Sequence, residues 1–123
     1  MKNKKLDYSS NLLKYIIEGM QEMKGVDITI MDLRKIETSV CNYFVICSGT
    51  SNTHTSSIGE NIRKNVSKKI AEKPWNIEGF KTSEWILIDY SDIVVHVFQQ
   101  HTRFFYDLED LWGDAKITNI EYN

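Results

Sequence analysis

The sequence predicts an α/β domain in which one mixed sheet of four or five strands carries two long helices. Three observations predict it. Apolar residues recur every three to four positions in two well-separated segments, as on amphipathic helices. Between and after those segments lie short runs that are apolar at alternate positions or throughout, as in strands. No internal repeat, low-complexity tract or Pro/Gly/Ser-rich linker divides the 123 residues, a length that fits one buried core. We therefore expect one domain over residues 1–113 and a tail over 114–123.

The elements follow in order. Leu12, Leu13, Ile16, Ile17, Met20 and Met23 define a first helix from about Leu6 to Lys24, which Gly25 stops. Val26 to Asp32 alternates: Val26, Ile28 and Ile30 point one way, and Asp27, Thr29 and Met31 point to a wetter face. Tyr43 to Cys47 is continuously apolar and β-prone, as in a central strand covered on both sides. After the turn Ser48-Gly49-Thr50-Ser51-Asn52, Ile58, Ile62, Val66 and Ile70 mark a second long helix that ends before Pro74. Gly79 marks a turn, and Trp85 to Asp89 and Ile93 to Phe98 form an antiparallel hairpin across Tyr90 and Ser91. Thr102 can cap a short last helix whose Phe104, Phe105, Leu108, Leu111 and Trp112 fall on one side, with Gly113 after it. Over Lys116 to Asn123, Ile117 and Ile120 alternate only weakly among polar residues, which fits an edge strand or a frayed tail, and the tail is the preferred reading.

Composition narrows the functional classes. With 41% hydrophobic and 26% charged residues, the chain is neither disordered nor membrane-spanning. Fifteen basic and seventeen acidic side chains leave a net charge of -2, which disfavours binding to nucleic acid by phosphate neutralisation. The basic cluster Arg63, Lys64, Lys68 and Lys69 reads as the solvated face of the second helix. The basic start MKNKKLDYSSN lacks the apolar stretch of a signal peptide, so a cytoplasmic protein is expected. Cys41 and Cys47 are too few for a disulfide scaffold and lack metal-ligand spacing. The Asn65-Val66-Ser67 sequon matters only in a secreted protein.

Candidate chemistry is sparse. The Ile46 to Ser51 strand-turn-helix sequence can cradle a phosphate at a helix N-terminus, or simply cap it through Thr50 or Ser51. A nucleotidyltransferase also needs metal-binding carboxylates on one strand face. Asp89 and Asp92 straddle a turn, and Asp27 and Asp32 lie on opposite strand faces; no metal or other cofactor is expected. His54, His96 and His101 form no close pair with another His or a Cys. His96, between Val94 and Phe98 on its strand face, reads as a satisfied, partly buried histidine rather than a general base. Trp85 shares a strand face with Leu87 and Asp89, so it is open to a core reading and to a binding reading. Trp85, Tyr90, Arg103, Tyr106 and Trp112 are residue types that anchor interfaces. Arg103 also reads as only a surface charge, pairing with Asp107 or Glu109 at helical spacing.

The succession KGVDITIMDLRKI, NYFVICSGTS, EGF, EWILIDYSDIVVHVF and TRFFYDLEDLW resembles, in order and spacing, the ribosomal silencing factor family, also called the Iojap-like family. The resemblance runs from about Leu12 to Trp112. It implies a nucleotidyltransferase-like fold without catalytic carboxylates, and a binding protein rather than an enzyme. Such proteins bind the large ribosomal subunit through its fourteenth protein and block joining of the small subunit, repressing translation when nutrients are short. Carried over by position, the family's acidic and aromatic patch corresponds to Trp85, Asp89, Tyr90 and Asp92, with Arg103, Tyr106, Leu108, Glu109 and Trp112 beside it. The resemblance further implies a homodimer when free and leaves room for a minor rRNA contact. The alternative function is nucleotide binding or transfer at the Ser48 to Ser51 turn. Two departures stand out: Asn42 where the family usually has Asp, and Ser91 where it usually has Gly. If the turn needs a positive φ, Ser91 strains it by roughly 1 kcal/mol.

Overall fold

The computed structural model describes residues 11–121. Helix α1 (Asn11–Glu22) leads into β1 (Val26–Asp32) and β2 (Tyr43–Gly49), followed by α2 (Asn52–Ile70). Then come β3 (Asn76–Glu78), β4 (Trp85–Asp89), β5 (Ile93–Gln99), α3 (Gln100–Tyr106), α4 (Leu108–Leu111) and β6 (Lys116–Asn119). The sheet has six strands in the order β3-β4-β5-β2-β1-β6. It is mixed: β2 and β5 run parallel at its centre, and every other pairing is antiparallel. The part of the first helix expected before residue 11 lies outside the described residues.

The α/β expectation holds with six strands: β3 was missed, and the edge-strand alternative replaces the preferred tail for residues 116–119. The stretch expected as a tail pairs as β6 with β1, from Thr29 opposite Asn119 to Asp32 opposite Lys116. β3 is a three-residue edge strand on β4. Both are short and polar, so neither shows a strand period; each is held by backbone pairing to a stronger neighbour.

Helices α1 and α2 cover one face of the sheet. Leu13, Ile16 and Met20 of α1 and Ile58, Ile62 and Val66 of α2 close over Ile30, Val45, Val95, Val97, Ile86 and Ile88. A second row on α2 is polar and ties the helices together. Asn61 donates to the Gly19 carbonyl at 3.0 Å and Asn65 to the Tyr15 carbonyl at 2.9 Å. The sequon asparagine is thus spent in the helix interface, where a glycan has no room. Gly25 does not end α1 by adopting a left-handed conformation; Lys24 does, at φ 58°. Gly25 is needed for closeness instead, because a Cβ there would lie 3.1 Å from Cys47 Sγ.

The other face is not wet, as the alternation in β1 implied, but covered. Met31, Leu33, Cys41, Ile46, Phe98 and Leu108 form a second apolar cluster, with Phe44, Trp85 and Trp112 packed against it. Thr29 and Met31 are buried there. Both free thiols are buried, and desolvation pushes Cys47 up to about 12.

Candidate functional site

The expected site residues converge on this second face. Alternation along β4 and β5 sends Ile86, Ile88, Val95 and Val97 to the helices, and Trp85, Asp89, His96 and Phe98 to the other side. There Trp85 lies half-buried, its ring centroid 4.8 Å from Phe98 and 4.7 Å from Tyr106. Its Nε1–H donates to His96 Nδ1 at 3.0 Å. The indole is therefore anchored inside but not fully covered, so it is not a wholly core residue. His96 in turn meets Phe44 edge-on at 4.7 Å, and Phe44 meets Trp112 edge-on at 5.7 Å. A continuous aromatic seam thus links Tyr106, Trp85, His96, Phe44 and Trp112.

His96 is 4% exposed. Because Nδ1 accepts from the indole, the neutral ring carries its proton on Nε2; Nε2 is buried without a hydrogen-bond partner among the described residues. Burial holds the pKa down to about 4, so the ring is a neutral acceptor that orients Trp85.

Arg103 is an internal clamp. With its side chain 12% exposed, it donates to the Asp27 carbonyl at 2.8 Å, Ser48 Oγ at 3.1 Å, Thr29 Oγ1 at 3.0 Å and Glu109 Oε2 at 2.8 Å. The Asp27 carbonyl reaches it because β1 is bulged between Val26 and Thr29, with Asp27 at φ 52°. Arg103 is thus not the surface charge that helical spacing allowed: it is enclosed, and its carboxylate partner Glu109 lies on α4, beyond the break at Asp107. Two further expected contact residues are placed differently. Tyr90 lies on the helix-covered face, 4% exposed, and Leu108 is buried in the second cluster. Neither presents a side chain for docking; Tyr90 was misplaced because it follows the exposed-face residue Asp89, and the next position on a strand faces the other way.

Asp89 and Asp92 hold the hairpin turn. Asp89 Oδ1 accepts from the Ser91 N–H at 2.7 Å, and the Asp92 N–H donates to the Tyr90 carbonyl at 3.0 Å. Ser91 sits at φ 79°; this i to i+2 bond about a positive central φ makes a strained γ-turn. The Asp92 carbonyl accepts from the N–H groups of Asn42 and Tyr43, which fixes the turn to the start of β2 and leaves the Asp92 side chain exposed. Asp89 lies four residues along β4 from Trp85, about 13 Å.

The segment after β5 corrects one expectation. Phe104, Phe105, Leu108, Leu111 and Trp112 do not share one side of one helix. Asp107, left-handed at φ 46°, ends α3 and caps α4, its carboxylate accepting from the Asp110 N–H. The break turns Leu108 inward and leaves Phe104, Phe105 and Leu111 at 86%, 78% and 71% exposure. These three outward residues were missed as surface candidates, and the signal that marks them is the inward polar pair Thr102 and Arg103 on the same helix.

At the Ser48 to Ser51 turn the capping reading describes the geometry. Ser51 Oγ accepts from the His54 N–H, and His54 Nδ1 accepts from the Thr50 N–H at 2.9 Å. A Cβ on Gly49 would collide with Thr55. The helix N-terminus is thus filled by the chain's own groups. Among the described residues, no three His, Cys, Asp or Glu side chains group as metal ligands, and no helix is long and apolar enough to cross a membrane.

The fold and site define a small α/β domain whose anchored aromatic seam lies beside exposed acidic residues. Residues 7–123 match the family described as RsfS, ribosomal silencing factor during starvation. The Bacillus subtilis ribosomal silencing factor RsfS is 32% identical over 112 residues, covering 91% of this chain and 93% of that one. The Haemophilus influenzae ribosomal silencing factor RsfS is 33% identical over 102 residues, covering 83% and 98%. The crystal structure of a Chromobacterium violaceum protein superposes with a TM-score of 0.79 at 30% identity, covering 91% of this chain and 92% of that one. The chain belongs to the ribosomal silencing factor family.

Proposed function

We propose that this protein binds the large ribosomal subunit through its fourteenth protein, blocks joining of the small subunit and so lowers translation when nutrients are short. Family membership supports this reading. The observation that carries it is the Trp85–Tyr106 pair, 4.7 Å apart on an open face, with the exposed acid Asp92 at the end of the same hairpin. The mechanism is steric. Subunits join through surfaces that must approach closely, and a 14.4 kDa domain seated beside a bridging protein keeps them apart with no bond made or broken. The acids steer a basic partner, raising the on-rate, while the desolvated aromatics hold it. Trp85, Asp89, Asp92, Tyr106 and Trp112 form the contact in this reading; Tyr90, Leu108, Arg103 and Glu109 support it from beneath. The finer fold relationship, a nucleotidyltransferase-like domain without catalytic carboxylates, is part of the same proposal.

Co-sedimentation with purified large and small subunits tests it. The protein is expected in the large-subunit fraction alone. Tyr106→Ala, which removes a half-exposed ring, is expected to weaken binding about tenfold, near 1.4 kcal/mol, without lowering the melting temperature by more than a few degrees. Equal recovery with both subunits, or with neither, would reject the reading.

A further inference from the structure

Helix α2 turns a basic side to solvent. Residues 61–75 carry five basic side chains, Arg63, Lys64, Lys68, Lys69 and Lys73, against one acidic side chain, Glu72. The whole-chain charge of -2 conceals this excess, because seven of the seventeen acids fall between residues 84 and 115. The helix covers the face of the sheet opposite to the one that carries Trp85 and Phe98.

The cations differ in how they are engaged. Lys69 Nζ pairs with Glu18 Oε1 at 3.1 Å, and Arg63 Nη1 reaches Glu60 Oε1 at 3.4 Å. Lys64, Lys68 and Lys73 are exposed and have no ion-pair partner among the described residues. Lys64 and Lys68 stand four apart on the helix, where like charges weaken it, so the fold gains nothing from them. Aromatic rings accompany these charges. The ammonium groups of Lys14 and Lys69 lie 5.4 and 5.2 Å from the Tyr15 ring centroid. Trp75, just beyond the end of α2, is 82% exposed, while its N–H is fixed to the Asp89 carbonyl at 2.7 Å. Alternation puts Trp75 on the side of Ile77, which packs beneath the helices.

We propose that this side of α2 binds single-stranded RNA, with Lys64, Lys68 and Lys73 on phosphates and Trp75 stacked on a base. Charge and ring together select that partner. Phosphates complement the unpaired ammonium groups, and every base offers a face to an exposed indole. A membrane surface calls for large apolar side chains in a row beside the cations, and the outward positions Glu60, Lys64, Ser67, Lys68 and Ala71 supply none. Because the surface lies across the sheet from Trp85, the proposal stands apart from the large-subunit reading.

The test is fluorescence anisotropy of a labelled oligouridine of about 12 nucleotides, titrated with the wild type and with variants. Affinity is expected to fall roughly 20-fold as ionic strength rises from about 0.05 to about 0.2 M, the dependence for about three neutralised phosphates. Lys64→Glu combined with Lys68→Glu should weaken binding at least about tenfold, and Trp75→Ala about tenfold. Lys35→Glu reverses a charge beside Ile36, which packs on the other face, and should leave the affinity nearly unchanged. All four side chains are exposed, so melting temperatures should match the wild type, and co-sedimentation of the lysine double variant with large subunits should be unaltered. Absence of RNA binding by the wild type overturns the proposal, as does an equal loss in Lys35→Glu, which would mean diffuse attraction. Tighter binding to phosphatidylglycerol vesicles than to RNA overturns it in favour of a membrane surface. Loss of RNA and large-subunit binding together in the double variant would make these lysines part of subunit docking and overturn a separate site.

Discussion

His96 couples the aromatic seam to pH. Its folded pKa is about 4 against an ordinary 6.5, depressed by burial. Between those values the unfolded chain binds a proton that the folded chain refuses, so the stability this residue contributes is complete above pH 6.5 and falls as the pH drops towards 4. The loss amounts to about 3 kcal/mol. Urea midpoints measured from about pH 7 down to about pH 4 should show it, and His96→Gln should flatten that slope. The carboxyls of Glu18, held down first by the Asn65 hydrogen bond, and Asp32, held down first by Arg34, lose their contributions only at lower pH. Ser91 makes a second case. At φ 79° it carries a Cβ where glycine is at ease, and Ser91→Gly is expected to raise unfolding free energy by about 1 kcal/mol in the same denaturation measurement. Strain at this position was readable from the sequence only as a condition; the positive φ meets that condition.

Between elements, the tightest approach is α1 on α2. A Cβ on Gly19 would lie 2.9 Å from Ile62 Cα, backbone that cannot turn aside. Gly19→Ala should separate the helices, lengthen the Asn61 bond to the Gly19 carbonyl and cost roughly 1–3 kcal/mol, seen as a lower melting temperature with the fold retained by circular dichroism. Helix periodicity made α1 and α2 legible because each buries one long apolar row, and β2, β4 and β5 were legible because apolar side chains fill at least one of their faces. β3 and β6 were not, since three and four residues of polar character are held by a neighbour's backbone. The break at Asp107 was hidden for a different reason: Phe104, Phe105, Leu108, Leu111 and Trp112 keep helical spacing across it, and only the left-handed φ rotates the second turn. The same break explains the partial legibility of the site. Trp85, Asp92, Tyr106 and Trp112 lie open or half-open as expected, whereas Leu108 lies inside and the two phenylalanines outside.

Over the whole chain, charge is unevenly distributed along the sequence. Residues 84–115 carry six net negative charges, so the remainder of a chain with net charge -2 carries four net positive ones. Exposed Lys64, Lys68 and Lys69 sit on α2, on the opposite side of the sheet from α3 and α4. Such a separation orients the molecule in the field of a basic target before contact. Stopped-flow association with large subunits should therefore slow several-fold as ionic strength rises from about 0.05 to about 0.2 M, with a smaller change in dissociation. Arg103 adds a constraint in time. Its guanidinium closes on the Asp27 carbonyl and on Thr29, 76 and 74 residues earlier in the chain, and α3 cannot seat until those acceptors have met it. Synthesis proceeds from the amino end. A nascent chain thus exposes β1 long before it owns the clamp, and the face that carries Trp85 and Tyr106 is completed only after translation has passed Glu109: the last part to be made is the part that locks the first.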